Sequence, residues 1–285
     1  MSYDFKVEDV EYVRHGGTPQ LARLFRPQGT GPFPIMVELH GGAWCRQDRL
    51  ADKVIHESLA RSGVIVASLD FRQPPAAPYP ASFQDIHYGI RWLKSRAAEL
   101  GSRPDMIGSM GNSSGGHQAM LLAMRAVRSA LRRAAAAGRL DVRRHRARRH
   151  HVLAGHRPDR PLPLRQGHRG QGQAVPAGGR RAASPATTRT GRRRRRWTRA
   201  ARPPRWRRAS SVQLPPVLYL QGTEDLAHPR PHLDRFVAAY RKAGGAVDLE
   251  LFDGEGQGFI MRKAGSPASN RALELITEFT LKQLR

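Results

Sequence analysis

Met106-Ile107-Gly108-Ser109-Met110-Gly111-Asn112-Ser113-Ser114-Gly115-Gly116-His117 decides how the rest of the chain is read. A short apolar run leads into Gly111-Asn112-Ser113-Ser114-Gly115, and a helical pattern follows through Gln118–Met124. The spacing is G-x-S-x-G, which carries chemistry only when a strand precedes it and a helix follows. A serine on so tight a strand-to-helix turn takes a strained backbone conformation, so its neighbours must be small. The helix N-terminus behind it supplies free N–H groups and the positive end of a dipole, both suited to a developing oxyanion. Taken alone, the same residues are compatible with a Gly/Ser-rich turn that has no chemistry.

The elements on either side repeat one theme. Residues 5–13 and 21–25 alternate as two strands joined at His15-Gly16-Gly17. Pro34–Leu39 is a continuous apolar run with one acid, Glu38, and reads as a buried central strand ending at His40-Gly41-Gly42. Asp48–Arg61 has helical spacing, Val64–Leu69 is a second buried strand closed by Asp70-Phe71-Arg72, and Phe83–Leu100 is a helix. Beyond residue 211 come a strand at Val217–Gln221, a helix at Leu233–Ala243, a strand at Val247–Phe252 and a closing helix at Pro267–Leu284. Strands alternating with helices predict an α/β architecture, a mostly parallel sheet covered on both faces. Ligands of such sheets bind at the carboxyl ends of the strands. His40, Asp70, Ser113 and Asp225 all fall just past predicted strand ends.

The net charge of +26 resembles that of a nucleic-acid binder, but its distribution does not. Residues 126–211 hold 26 arginines, no lysine and only two acids, Asp141 and Asp159. That block carries +24, leaving +2 for the rest, whose mixed charges are those of an ordinary enzyme. Cys45 is the single cysteine, which excludes an internal disulfide and suits a reducing compartment. With no signal-like N-terminus and no apolar run of membrane-spanning length, the expectation is a soluble, cytoplasmic protein.

On these residues the chain resembles the α/β-hydrolase superfamily, in its hormone-sensitive-lipase-like, feruloyl-esterase-like and kynurenine-formamidase-like esterase branches. The matching residues are His40-Gly41-Gly42-Ala43-Trp44, Asp70-Phe71-Arg72, Pro78-Tyr79-Pro80, Gly111–Gly116 and Gly222-Thr223-Glu224-Asp225. The resemblance implies an α/β-hydrolase fold in two parts, residues 1–125 and 212–285, with the central segment disrupted. It implies that Ser113 is the nucleophile and that the backbone N–H groups of Gly41, Gly42 and Ser114 form the oxyanion hole. Asp225 then is the acid, with Glu224 its near rival, and Trp44 packs beside the oxyanion loop. Neither metal nor cofactor is implied. The implied activity is that of a carboxylic ester hydrolase acting on small ester or amide substrates.

Two departures stand out. The family's histidine falls in the loop Gly254-Glu255-Gly256-Gln257-Gly258-Phe259, where Gln257 occupies its position. A glutamine amide cannot take a proton from a serine near neutral pH. His228 and His232 also follow Asp225; His228 could line the same pocket and serve as base, or be an ordinary loop histidine. The second departure is the arginine-rich block itself, 126–211. It has almost no aliphatic periodicity and cannot bury enough apolar surface to offset its ordering entropy, so disorder is expected there. Arg, Ala, Gly, Pro and His without Lys is what GC-rich coding DNA yields when read out of register, so the block reads as a frameshifted segment. As written, the chain should lack the strand between those carrying Ser113 and Asp225, leaving open sheet edges and a chain that folds poorly.

Two other functions remain compatible with the sequence. One is a catalytically dead homologue that binds small acyl ligands. The other is a nucleic-acid binder using the arginines, which would at least bind polyanions incidentally in a salt-dependent way. Against the last, Trp197 and Trp206 are the only aromatics of the block, and no nucleic-acid-binding module is recognisable. Oligomeric state leaves no mark in the sequence.

Overall fold

A computed structural model describes residues 2–124, 152–154 and 213–285. All of them fall in one compact unit formed by residues 1–159 and 210–285, and a second unit, 160–209, contains none. The disorder expected for 126–211 therefore lies outside the described residues, apart from 152–154.

The unit is built on an eight-stranded sheet: β1 (Phe5–His15), β2 (Thr18–Pro27), β3 (Ile35–Leu39), β4 (Ile65–Leu69), β5 (Ile107–Gly111), β6 (Val152–Ala154), β7 (Val217–Gly222) and β8 (Val247–Phe252). The spatial order is β1-β2-β4-β3-β5-β6-β7-β8. β2 runs antiparallel to β1 and β4, and every pairing from β4 to β8 is parallel. Among the described residues the helices are α1 (Lys53–Arg61), α2 (Ala81–Ser95), α3 (Ser114–Ala123), α4 (Arg230–Lys242), α5 (Phe259–Arg262) and α6 (Pro267–Leu284).

Strand periodicity sends alternate side chains to opposite faces. Ile35, Val37 and Leu39 of β3 join Ile65, Ala67 and Leu69 of β4 in a core shared with Ile86, Ile90 and Leu93 of α2 and Leu233 and Phe236 of α4. Met36 and Val66 point the other way, into a core with Ile55 and Leu59 of α1 and Ile276 and Phe279 of α6. With both faces covered, β3, β4 and β5 are buried along their whole length, which is why they read as unbroken apolar runs.

The expected gap in the sheet is absent. Val152-Leu153-Ala154 lies between β5 and β7, pairing Ser109, Met110 and Gly111 on one side and Val217 and Leu218 on the other. A three-residue aliphatic stretch is too short to show a period, yet it supplies the backbone partners that two parallel neighbours need. Two helices are also shorter than their patterns suggested. Residues 48–52 form turns, with Gln47 and Asp52 left-handed at φ 70° and 58°, so α1 starts at Lys53. α2 stops at Ser95, and the chain then turns through Gly101, left-handed at φ 76°.

Candidate active site

The elbow is built by close approach. α3 begins directly after β5, and its first turn lies against the end of β3. A Cβ on Gly115 would sit 1.8 Å from the Leu39 carbonyl oxygen, so only glycine lets helix and strand meet here. Ser113 takes φ 49° and ψ −118°, a conformation that non-glycine residues rarely adopt. The carbonyl of Asn112 accepts from the Gly115 N–H at 2.8 Å, closing the turn beneath it.

The loop after β3 forms the opposite wall. A Cβ on Gly41 would fall 3.6 Å from that of Ser113, so this backbone runs against the elbow. Gly42 is left-handed at φ 90°, and a Cβ there would strike the Arg46 carbonyl at 2.0 Å. Ser114 is buried and is the first residue of α3, where an N–H has no acceptor within the helix. His40, fully buried, stacks on Phe71 with ring centroids 4.2 Å apart, and its Nδ1 donates to the Gly41 carbonyl at 3.1 Å. It shapes the loop. Trp44 donates from Nε1 to Nδ1 of His117 at 3.2 Å and so packs beside the elbow. Asp70 is bound by Arg49, through the backbone N–H and the guanidinium, both at 2.9 Å.

The third part is the turn after β7. Asp225 Oδ1 accepts from the N–H groups of Ala227 and His228, each at 3.0 Å, and Oδ2 lies 2.7 Å from His228 Nδ1. On the other side of the ring, His228 Nε2 lies 3.5 Å from Ser113 Oγ. Gln221, buried on β7, donates from Nε2 to the His228 carbonyl at 2.8 Å and fixes the turn to the sheet. Burial pushes the Asp225 carboxyl up, but the His228 ring and the two backbone donors outweigh it and hold the group below its ordinary range. Asp225 is thus kept ionised opposite an imidazole.

Ser113 and Asp225, both singled out in the sequence, are brought together by His228. Gln257 is exposed in the turn between β8 and α5, and Glu224 is exposed as well. His232 lies half-buried on α4. The sequence signal for His228 is its spacing: in an Asp-x-x-His turn the carboxylate can cap the backbone and still reach the ring three residues on. Among the described residues no cluster of three or more His, Cys, Asp or Glu is placed to hold a metal, and no helix is long and apolar enough to cross a membrane.

The architecture matches solved esterases along nearly its whole length. An esterase of Thermogutta terrifontis superposes with a TM-score of 0.65 at 20% identity, over 97% of this chain and 94% of that one. The chain has the α/β-hydrolase fold. An esterase of Pyrobaculum calidifontis gives a TM-score of 0.66 at 18% identity, over 98% of this chain and 86% of that one. Residues 24–148 match the BD-FAE family. In sequence, the carboxylesterase NlhH of Mycobacterium tuberculosis is 37% identical over 96 residues, 32% of this chain and 29% of that protein. Bovine hormone-sensitive lipase is 29% identical over 133 residues, 44% of this chain and 18% of the lipase. The chain thus spans less than a third of the length of these curated relatives.

Proposed function

We propose that this chain is a serine hydrolase of the carboxylesterase type, cleaving small esters through an acyl-enzyme on Ser113. His228 is the general base and Asp225 orients it. The observation that carries the reading is the relay from Ser113 Oγ to His228 Nε2 at 3.5 Å and from His228 Nδ1 to Asp225 at 2.7 Å. Serine-to-histidine distances are commonly long before substrate binds and tighten in the complex.

In acylation, Ser113 Oγ forms a bond to the substrate carbonyl carbon as its proton passes to His228 Nε2. The carbonyl oxygen becomes an oxyanion, met by the N–H groups of Ser114, Gly41 and Gly42. Asp225 stabilises the imidazolium without taking its proton. As the ester C–O bond breaks, His228 returns the proton to the leaving alcohol. Water then attacks the acyl-enzyme by the same route, releasing the acid and regenerating Ser113. Amide substrates would follow the same steps with an amine leaving group. The similarity of this chain to a carboxylesterase and an esterase supports ester substrates.

The test is hydrolysis of short-chain p-nitrophenyl esters by the wild type, Ser113→Ala and His228→Ala, with a fluorophosphonate to mark the nucleophile by mass. Turnover in the wild type, its loss in both variants and a single adduct on Ser113 are expected. A wild type that binds acyl ligands without turnover would instead be the catalytically dead homologue.

A further inference from the structure

The N–H groups that would meet an oxyanion come from two elements, Gly41 and Gly42 from the loop after β3 and Ser114 from the start of α3. They can serve one oxygen only if loop and helix are held at a fixed separation. The loop's own backbone is ill suited to holding it. Gly42, Ala43 and Trp44 follow one another in left-handed conformation, at φ 90°, 53° and 64°. Alanine and tryptophan lack glycine's freedom, so such a run is strained and persists only where its surroundings fix it. Within the loop, the Cys45 N–H donates to the Gly42 carbonyl at 3.1 Å and closes a turn around Ala43 and Trp44. Further on, Gln73 donates from Nε2 to the Gln47 carbonyl at 3.0 Å. Neither contact reaches the helix behind the nucleophile. Trp44 does. Its indole N–H donates to His117 Nδ1 at 3.2 Å, and the two rings meet edge to face, at 88° with centroids 5.7 Å apart. His117 lies one helical turn beyond Ser113, to whose carbonyl its own N–H donates at 3.2 Å. Both side chains are half-buried.

We infer that His117 is a positioning residue for the hydrolytic reaction: through Trp44 it ties the loop bearing Gly41 and Gly42 to α3, and so sets how far those N–H groups stand from that of Ser114. The inference rests on the esterase reading above. An indole is a donor only, so the bond fixes His117 as the acceptor at Nδ1 and leaves the proton of the neutral ring on Nε2. The edge-to-face contact sets the plane of the indole, and the hydrogen bond sets how far it reaches toward the helix. Losing the tie leaves the seat of the elbow in place, because the close approach of Gly115 to the Leu39 carbonyl is independent of it. The loop moves and the nucleophile does not. His117 thus acts through the loop rather than on the reacting atoms. Because the oxyanion exists only in the transition state and the intermediate, a misplaced loop slows turnover and leaves ground-state binding nearly intact.

His117→Leu fills the space without an acceptor, His117→Asn places an amide oxygen close to where Nδ1 stands, and Trp44→Phe keeps a ring without a donor. The experiment measures kcat and KM for a p-nitrophenyl ester, and the Ki of a trifluoromethyl ketone, whose adduct with a serine carries an oxyanion. Wild-type turnover, abolished by Ser113→Ala, tests the esterase reading separately. In His117→Leu and in Trp44→Phe, kcat is expected to fall about 10- to 100-fold, on the scale of a group misplaced by about 1 Å. KM should stay within about twofold, and Ki should rise by the factor that kcat/KM loses. His117→Asn should recover to within about threefold of the wild type. The double variant His117→Leu with Trp44→Phe should be within about twofold of the slower single one, since both remove the same bond. Turnover within twofold of wild type in both single variants, losses that multiply in the double one, or an asparagine variant as slow as the leucine one would overturn the proposal. If His117→Leu does not fold, Trp44→Phe and His117→Asn decide by the same criteria. A readout independent of turnover is amide hydrogen exchange over residues 41–47. It is expected to quicken in His117→Leu and Trp44→Phe and to stay near wild type in His117→Asn. Unchanged exchange in the first two would equally overturn the proposal.

Discussion

Asp52→Asn should stabilise the fold, and increasingly so as the pH rises. The wild-type carboxyl ionises near 3.8 when exposed; burial, reinforced by the charge of Glu38, raises it to about 7 when folded. A carboxyl whose folded value is raised favours the folded state while protonated, and that contribution disappears as pH climbs through the folded value. Each unit is about 1.4 kcal/mol, so three units correspond to roughly 4 kcal/mol between pH 4 and pH 8. Glu38 is itself lowered, which returns part of this, so about 2–4 kcal/mol is expected. Asparagine has no charge to bury and does not suffer the loss. Its advantage should already be about 1–2 kcal/mol at pH 5 and grow to about 2–4 kcal/mol at pH 8.5. At roughly 2–4 °C per kcal/mol for a chain this long, the midpoint should rise by about 5–15 °C at the higher pH. Thermal scans of both proteins at pH 5, 7 and 8.5 measure it. A stability difference that is flat with pH, or that shrinks as pH rises, would refute a raised Asp52.

His228→Ala should lower kcat for ester hydrolysis by roughly 10⁴-fold or more, leaving residual oxyanion-hole catalysis. Gln257→His should leave kcat within about twofold of the wild type; a large gain would return the base to that loop. Gly115→Ala should destabilise the fold by several kcal/mol and abolish labelling of Ser113, since the added methyl meets the Leu39 carbonyl at 1.8 Å; thermal scanning and fluorophosphonate adduct mass check both. The arginines of 126–211 should retain the protein on a phosphate matrix with strong salt dependence, and deletion of that block should end retention. Sequencing the coding DNA over codons 126–176 should show, one base out of frame, an apolar strand without stop codons.

The sheet was legible because its strands are buried on both faces. Pro34–Leu39, Val64–Leu69 and Val217–Gln221 stand out as apolar runs, and the observed strands follow them closely. The elbow was legible because steric crowding leaves glycine almost no alternative. β6 was not: three aliphatic residues among arginines carry no period, and only neighbours far away in sequence give them a place. His228 was visible as a candidate but obscured by the loop at Gln257, whose spacing drew the eye to a histidine that is not there. What separates the two is a turn geometry, Asp225 capping two N–H groups, which the Asp-x-x-His spacing permits but does not by itself decide. Glu38 could be read as the one acid in an apolar strand, but its partners Ser68 and His56 come from another strand and a helix, and only folding brings them together.

The Asp225–His228 turn has a consequence for how the molecule could be rearranged. In the mechanism proposed above, acid and base sit on one short hinge of chain, so the chemistry would depend on two anchoring points, that hinge and the serine, rather than on three. On that proposal the segment between β8 and α5 carries no chemical duty and becomes a natural place to open the polypeptide. New chain ends cut there, with the old ones tethered, would leave every reacting atom on uninterrupted backbone.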